Sequence, residues 1–236
     1  MFYILGRFLG WVFFYTIIIP MRIQYGNRKC KFIYDEKQFN ELNRNSLIIV
    51  SNHIKPRNKF LRLISMPYDA FILRAFLLRF GIYTTALTSY DAGKIRKGEK
   101  LSKSKYNKEQ LIKGIVLSMD LIPLNRNERD DVTNEDIANR INLGNLGIGI
   151  FPEGTWFRGF RKNRKIFSGA AVLAKKYKMN ILPIYLDAYN LKQDSEIRVG
   201  EMISMDLPSA EISASIRNQL NELYILNQKA KGINNA

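Results

Sequence analysis

The chain has one cysteine and one histidine in 236 residues, and those two scarcities remove whole classes of protein before any motif is read. A lone thiol, Cys30, forms no intramolecular disulfide, so the fold rests on its own core; the redox compartment stays open. A lone imidazole without Cys/His ligand spacing argues against a zinc site, and the scattered acids form neither an EF-hand nor a paired-carboxylate pattern. No metal and no resident cofactor are expected. There is no Gly-x-Ser-x-Gly elbow, and Cys30 lies in a polar, basic stretch, so the chain offers no obvious nucleophile for a covalent intermediate. Internal repeats and low-complexity linkers are missing too. With 46% apolar residues, the length fits one substantial core rather than two full domains.

Acids are in short supply. Asp and Glu number 21 against 37 Lys and Arg, a formal net charge of +16, so the preferred partners are anionic: lipid headgroups, a phosphorylated substrate, an acidic carrier or nucleic acid. Zinc-finger, RNP and helix-turn-helix signatures are absent, which leaves charge alone in favour of nucleic acid, and that partner is not expected. The cations cluster at Lys94, Arg96, Lys97, Lys100, Lys103, Lys105 and Lys108 in a polar connection, and again at Arg158, Arg161, Lys162, Arg164 and Lys165. Such runs are usually solvated faces; against an anionic bilayer each residue adds about 1 kcal/mol of attraction.

Phe2 to Ile19 is almost wholly apolar and aromatic and stops at Pro20. As one helix it would be ~27 Å long, close to a hydrocarbon core of about 30 Å. It lacks an early basic region and a small-residue cleavage site, so it is expected to be retained. Trp11 and the tyrosines suit an interface, Arg7 could snorkel, and Arg22, Arg28, Lys29 and Lys31 would hold the succeeding domain on the cytoplasmic side. We expect residues 1–22 to anchor the chain to a membrane, in plane, re-entrant or spanning, with residues 23–236 as the folded domain. A buried core helix is the competing reading of that segment.

Beyond it, β and α patterns alternate. Strands are expected within Met21 to Tyr34 and at Leu47 to Val50, Ile82 to Leu87, Gly147 to Phe151 and Ile181 to Leu186. Helices are expected at Asp35 to Arg44, Asp69 to Phe80, Lys108 to Met119, Glu135 to Asn142, Gly169 to Tyr177 and Pro208 to Ala230. This alternation predicts an α/β fold with a mostly parallel sheet flanked by helices.

The apolar run Ile48-Ile49-Val50 ends abruptly in Ser51-Asn52-His53, a buried strand delivering one titratable group to its carboxyl end, where open α/β sheets place their sites. About a hundred residues later the chain reads Phe151-Pro152-Glu153-Gly154-Thr155, preceded by Ile122-Pro123-Leu124-Asn125-Arg126 and followed by Ile181-Leu182-Pro183-Ile184-Tyr185-Leu186. This ordered set resembles the glycerophospholipid acyltransferase superfamily, whose motifs are Asn-His-x4-Asp, an apolar stretch ending in arginine, Phe-Pro-Glu-Gly-Thr-Arg-Ser, and an apolar strand with proline. The pentapeptide is the most specific of the four.

There are departures. The fifth residue after His53 is Asn58, not aspartate. The nearest downstream acid is Asp69, which opens an apolar helix as the family's stretch after the histidine does, so Asp69 is preferred to Asn58 as the histidine's partner. Trp156 stands where the family's third motif has its first arginine, while Arg158 holds the second arginine position. Asp120 replaces the usual glycine six residues before Arg126.

Histidine, with an unperturbed pKa of about 6.5, suits removal of a proton from an attacking hydroxyl, and a carboxylate beside it fixes the tautomer and stabilises the imidazolium. The resemblance implies that His53 and Asp69 are catalytic and that Arg126 and Arg158 bind the acceptor's phosphate. Glu153, Gly154 and Thr155 would shape the same site. The implied function is membrane-associated O-acyl transfer in phospholipid biosynthesis. A fatty acyl group would pass from acyl-CoA or acyl carrier protein to a lysophospholipid or glycerol phosphate acceptor, foremost 1-acylglycerol 3-phosphate. A catalytically inactive basic protein binding anionic membranes is the alternative that the departures leave open.

Overall fold

Strand β2, Leu47–Ser51, is an apolar run with every residue buried, the pattern of a strand covered on both faces. Its alternating side chains divide between two layers. Ile49 joins Ile72, Phe76, Leu77, Leu182 and Ile184 in one core cluster, while Ile48 and Val50 join Ile148, Ala170, Ala174, Ile212 and Ile216 in another. Ile48, Ile49 and Val50 are fully buried, each side chain stabilising the fold by roughly 1.5–3 kcal/mol.

The computed structural model describes residues 1–13, 16, 30–37, 46–55, 68–91, 101–125, 131–142, 144, 146–155, 157–189 and 195–232. The other strands are β1 (Cys30–Ile33), β3 (Tyr83–Ser89), β4 (Ile122–Leu124), β5 (Leu146–Ile150), β6 (Ile181–Asp187) and β7 (Ser195–Val199). They form one sheet in the order β1-β7-β6-β2-β5-β3-β4. Every neighbouring pair is parallel except β6 and β7. The helices are α1 (Phe2–Phe13), α2 (Tyr68–Leu77), α3 (Lys103–Ser118), α4 (Asp131–Asn142), α5 (Gly169–Tyr177) and α6 (Ser209–Ala230). Helix α2 covers one face with Phe71, Ile72, Leu73, Phe76 and Leu77 buried. On the opposite face α6 presents Ile212, Ile216 and Leu220 at helical spacing beside the small residues of α5. The expected α/β architecture with a mostly parallel sheet is the one observed.

Several local features differ from the sequence reading or add to it. Strand β7 has no counterpart in it: Ser-Glu-Ile-Arg-Val looks polar, yet Glu196 and Arg198 are both buried and pair with each other. Helix α3 starts at Lys103, not Lys108, because the Ser102 side chain accepts the Lys105 N–H and caps it. Its first turns therefore carry Lys103, Lys105 and Lys108, the part of the expected basic loop that falls within the described residues; Lys94, Arg96, Lys97 and Lys100 lie outside them. Asp120, where the family has glycine, has φ +57°, a left-handed conformation that glycine adopts freely and aspartate tolerates. Its carboxylate accepts hydrogen bonds from Arg140 at 2.8 Å and from Tyr83, and lies 3.6 Å from Arg74. Burial opposes the charge on Arg140, but the bonds to Asp136 and Asp120 outweigh it and raise its pKa.

Of the three membrane readings of the amino terminus, the spanning one is not found, and residues 14, 15 and 17–22 lie outside the described residues. Among the described residues no helix is long and apolar enough to cross a membrane, and α1 covers Phe2–Phe13. It lies along α3 through its glycines: a Cβ on Gly6 would come within 2.1 Å of the Leu111 carbonyl oxygen, and one on Gly114 within 2.4 Å of the Tyr3 oxygen. Gly10 meets Ile115 and Ser118 in the same way, so the two helices run in the same direction. Nor is α1 a core helix, since Ile4, Leu5, Phe8 and Trp11 are all exposed on it.

Candidate active site

Two adjacent parallel strands, β2 and β5, end at the same edge of the sheet and bring the two sequence motifs together. Asn52, just past β2, is fully buried. Its amide donates to the Leu186 carbonyl at 2.9 Å and to the Tyr189 hydroxyl at 3.2 Å, and its oxygen accepts the Leu186 N–H at 2.8 Å. This clamp fastens the end of β2 to β6. Burial pushes the Tyr189 phenol up to about 12, so it stays protonated at neutral pH.

His53 is the next residue, with 13% of its side chain exposed, and its Nδ1 lies 2.6 Å from Oδ2 of Asp69, sixteen residues on and fully buried in the first turn of α2. The same Oδ2 accepts the Ile54 N–H at 2.8 Å, and Oδ1 accepts the Ala70 N–H at 2.9 Å. An ionised carboxylate is an acceptor only, so the proton in the His53–Asp69 contact belongs to Nδ1, the tautomer that in a neutral imidazole leaves the lone pair on Nε2. Phe151, the residue after β5, stacks on the imidazole with centroids 4.3 Å apart and planes 17° from parallel. The ring is thus fixed from one edge by a carboxylate and from one face by an aromatic.

Glu153 is buried beside this pair. One carboxylate oxygen accepts the His53 backbone N–H at 3.4 Å, and the other accepts a hydrogen bond from Arg164. The His53 carbonyl in turn accepts the Phe157 N–H at 3.2 Å, and the Lys55 N–H donates to the Phe157 carbonyl at 2.7 Å. The loop after β5 therefore holds the His53 peptide from both sides. Gly154 sits in the turn with φ +63° and its N–H on the Phe151 carbonyl, and a Cβ there would come within 3.0 Å of the Phe167 ring. Both the conformation and the space call for glycine.

His53, Asp69 and Glu153 are therefore brought into one hydrogen-bonded group, with Gly154 and Thr155 on the exposed turn beside it and Arg158 exposed farther along the same loop. Arg126, Asn58 and Trp156 lie outside the described residues. Among the described residues no group of three or more His, Cys, Asp or Glu side chains could hold a metal ion. Four contributors are not among the expected site residues: Asn52, Phe151, Tyr189 and Arg164. Asn52 and Phe151 lie inside the motifs and were legible as candidates. Tyr189 and Arg164 carry no local signal, because their partners come from distant segments.

The arrangement suits a general base of the Asp-His kind: an imidazole 13% exposed with a buried carboxylate behind it and, among the described residues, no serine or cysteine side chain bonded to His53, Asp69 or Glu153. A comparison with curated proteins gives no match. A family model described as acyltransferase matches residues 33–187, which takes in β2 through β6 and the whole His53, Asp69 and Glu153 group. On that match, which spans well over half of the chain, the protein belongs to the glycerophospholipid acyltransferase family.

Proposed function

We propose that the protein is a membrane-associated O-acyltransferase that moves a fatty acyl group from acyl-CoA or acyl carrier protein to the hydroxyl of a lysophospholipid or glycerol phosphate, with 1-acylglycerol 3-phosphate the leading acceptor. The observation that carries this is the 2.6 Å contact between His53 Nδ1 and the fully buried Asp69. In this reading the acceptor hydroxyl gives its proton to His53 Nε2 as its oxygen attacks the thioester carbonyl, and Asp69 stabilises the imidazolium that forms. Collapse of the tetrahedral intermediate breaks the carbon–sulfur bond, and the departing thiolate takes the proton back from the imidazolium. No resident cofactor is needed. The inactive-protein alternative rests on the broken spacing of the first motif and on the missing arginine of the third; a carboxylate in contact with the imidazole weakens the first of these.

Arg158 and Arg126 are assigned to the acceptor's phosphate, for which guanidinium geometry is suited. Arg158 is exposed on the loop that borders His53, where a headgroup can reach it. For location, the exposed apolar side chains of α1, with Lys103 and Lys105 exposed on the helix beside it, support an in-plane contact with an anionic bilayer, the catalytic domain lying on the cytoplasmic side.

The test pairs acyl-CoA and acyl carrier protein donors with a panel of lysolipid acceptors, using purified protein in detergent. Transfer to an acceptor hydroxyl, lost in His53→Ala by about 10²-fold or more, is the expected result. Wild-type protein that transfers to no acceptor in the panel, or a His53→Ala variant of ordinary activity, ends the proposal. Arg158→Ala should raise the KM for phosphate-bearing acceptors and leave kcat nearly unchanged.

A further inference from the structure

Among the cations that come after the third motif, Arg164 stands apart. Arg158, Arg161, Lys162 and Lys165 are exposed, whereas the Arg164 side chain is 2% exposed and its partner in the ion pair, Glu153, 1%. The guanidinium carbon lies 3.7 Å from the centroid of the Phe160 ring. Phe160 stacks on Tyr224 of α6, centroids 4.4 Å apart, and meets Tyr185 of β6 edge-on. Burial lowers the Arg164 pKa to about 10, which still leaves it charged at neutral pH. Its Nε and Nη2 have no hydrogen-bond partner among the described residues, so its polar attachment there runs through Glu153.

A buried ion pair is a poor device for stability, because desolvating both charges offsets most of their attraction, and well-packed apolar groups often do as well. What this pair does do is hold a carboxylate at one place. Glu153 is the acceptor for the backbone N–H of His53, and it sits in a turn whose neighbouring Pro152 carbonyl accepts the Phe167 N–H at 2.8 Å. A continuous set of contacts thus runs from α6 through Tyr224, Phe160, Arg164 and Glu153 to the main chain of His53.

We propose that Arg164 is a positioning residue: it fixes Glu153, and through Glu153 the peptide of His53, so that the imidazole meets the bound acceptor at the right place. This rests on the acyl-transfer reading but deepens it, by assigning a role to an arginine that its basic surroundings disguise as surface charge. Its burial keeps it from contacting a phosphate, so its loss is expected in kcat and not in acceptor KM. A misplaced base costs rate because near-attack geometry is sensitive to displacements of an ångström or so.

The chain's single histidine makes a direct test available, since its ring signals in a heteronuclear NMR spectrum belong to His53 alone. Arg164→Met should move those signals and lower kcat at least about tenfold with the acceptor KM within about twofold. Arg164→Lys, which keeps the charge without the planar fork and the stack, should fall between the two. The double variant Glu153→Gln, Arg164→Met should be no slower than Glu153→Gln alone, because removing Glu153 removes the path by which Arg164 acts. If Arg164→Met fails to fold, the double variant, which buries no unpaired carboxylate, and Arg164→Lys carry the test. His53 signals unmoved in every Arg164 variant, rate losses that multiply independently in the double variant, or a loss confined to KM would each overturn the proposal. An inert wild-type enzyme whose His53 signals still respond to Arg164 would instead remove the acyl-transfer reading and leave the structural coupling standing.

Discussion

Replacing Asp69 with asparagine exchanges one oxygen for an NH2 group at a position where both carboxylate oxygens are in use. Oδ2 accepts from His53 Nδ1 and from the Ile54 N–H, and Oδ1 from the Ala70 N–H. An amide placed with its nitrogen toward His53 faces the Ile54 donor with a donor and forces Nδ1 to accept, which moves the imidazole proton to Nε2 and removes the base. The flipped amide keeps the tautomer but sets its NH2 against the Ala70 N–H and offers no charge to the imidazolium. The expected loss in kcat is about 10³–10⁴-fold, or roughly 4–5.5 kcal/mol of transition-state stabilisation. Global stability should fall by less, about 1–3 kcal/mol, because one unsatisfied buried donor is the main penalty. Release of free thiol from acyl-CoA in detergent, followed beside a thermal melt, separates the two effects. An Asp69→Asn enzyme within about tenfold of wild type at full occupancy of folded protein, or an Asn58→Ala variant that is equally impaired, refutes the pairing of His53 with Asp69 as a catalytic unit.

At Asp120, where φ is +57°, Asp120→Gly should be more stable than Asp120→Ala by about 1 kcal/mol in denaturant titrations, since both lose the arginine contacts but only alanine carries the backbone strain; equal stabilities count against that account. Burial, with the Glu196 charge adding to it, pushes the Cys30 thiol from 9.0 up to about 12, so in that window the folded state binds a proton that the unfolded state has lost. The stability this group contributes is complete below about pH 9 and is lost as pH rises through the window, at up to about 1.4 kcal/mol per unit; Cys30→Ala should make the alkaline decline shallower, and an unchanged slope contradicts it. Gly114→Val should push α1 off α3, because a Cβ there meets the Tyr3 oxygen at 2.4 Å, and limited proteolysis should then cut within residues 1–13 first; a cleavage pattern like that of wild type argues against the packing.

The site was more legible in the sequence than its broken first motif suggests. Asp69 could be found because an acid directly before Ala70-Phe71-Ile72-Leu73 reads as the polar start of a buried helix, and the first turn is where a carboxylate finds backbone donors. The sheet was legible wherever a strand is buried on both faces, as at Leu47 to Val50 and Ile181 to Leu186, since burial leaves an uninterrupted apolar run. It was illegible at Ser195–Val199, where a paired glutamate and arginine imitate a surface strand. Arg164 was hidden for the same reason in reverse: five cations within eight residues look solvated, and only the arrival of Phe160 and Glu153 beside it in the fold tells one from the rest. The helix start at Lys103 is hidden because the first two turns have no apolar periodicity.

Among the described strands β2 is fourth of seven in the sheet, with three on either side, and its amides from Ile48 to Val50 sit where local opening is expected to reach last. Native-state hydrogen exchange should find them among the slowest in the protein, released only with global unfolding, while β1 and β4 at the sheet's margins exchange through smaller fluctuations. The histidine lies two residues past the end of that strand and its carboxylate on a helix packed against the same sheet. Fraying at either margin of the sheet can therefore proceed without altering the distance between the two groups.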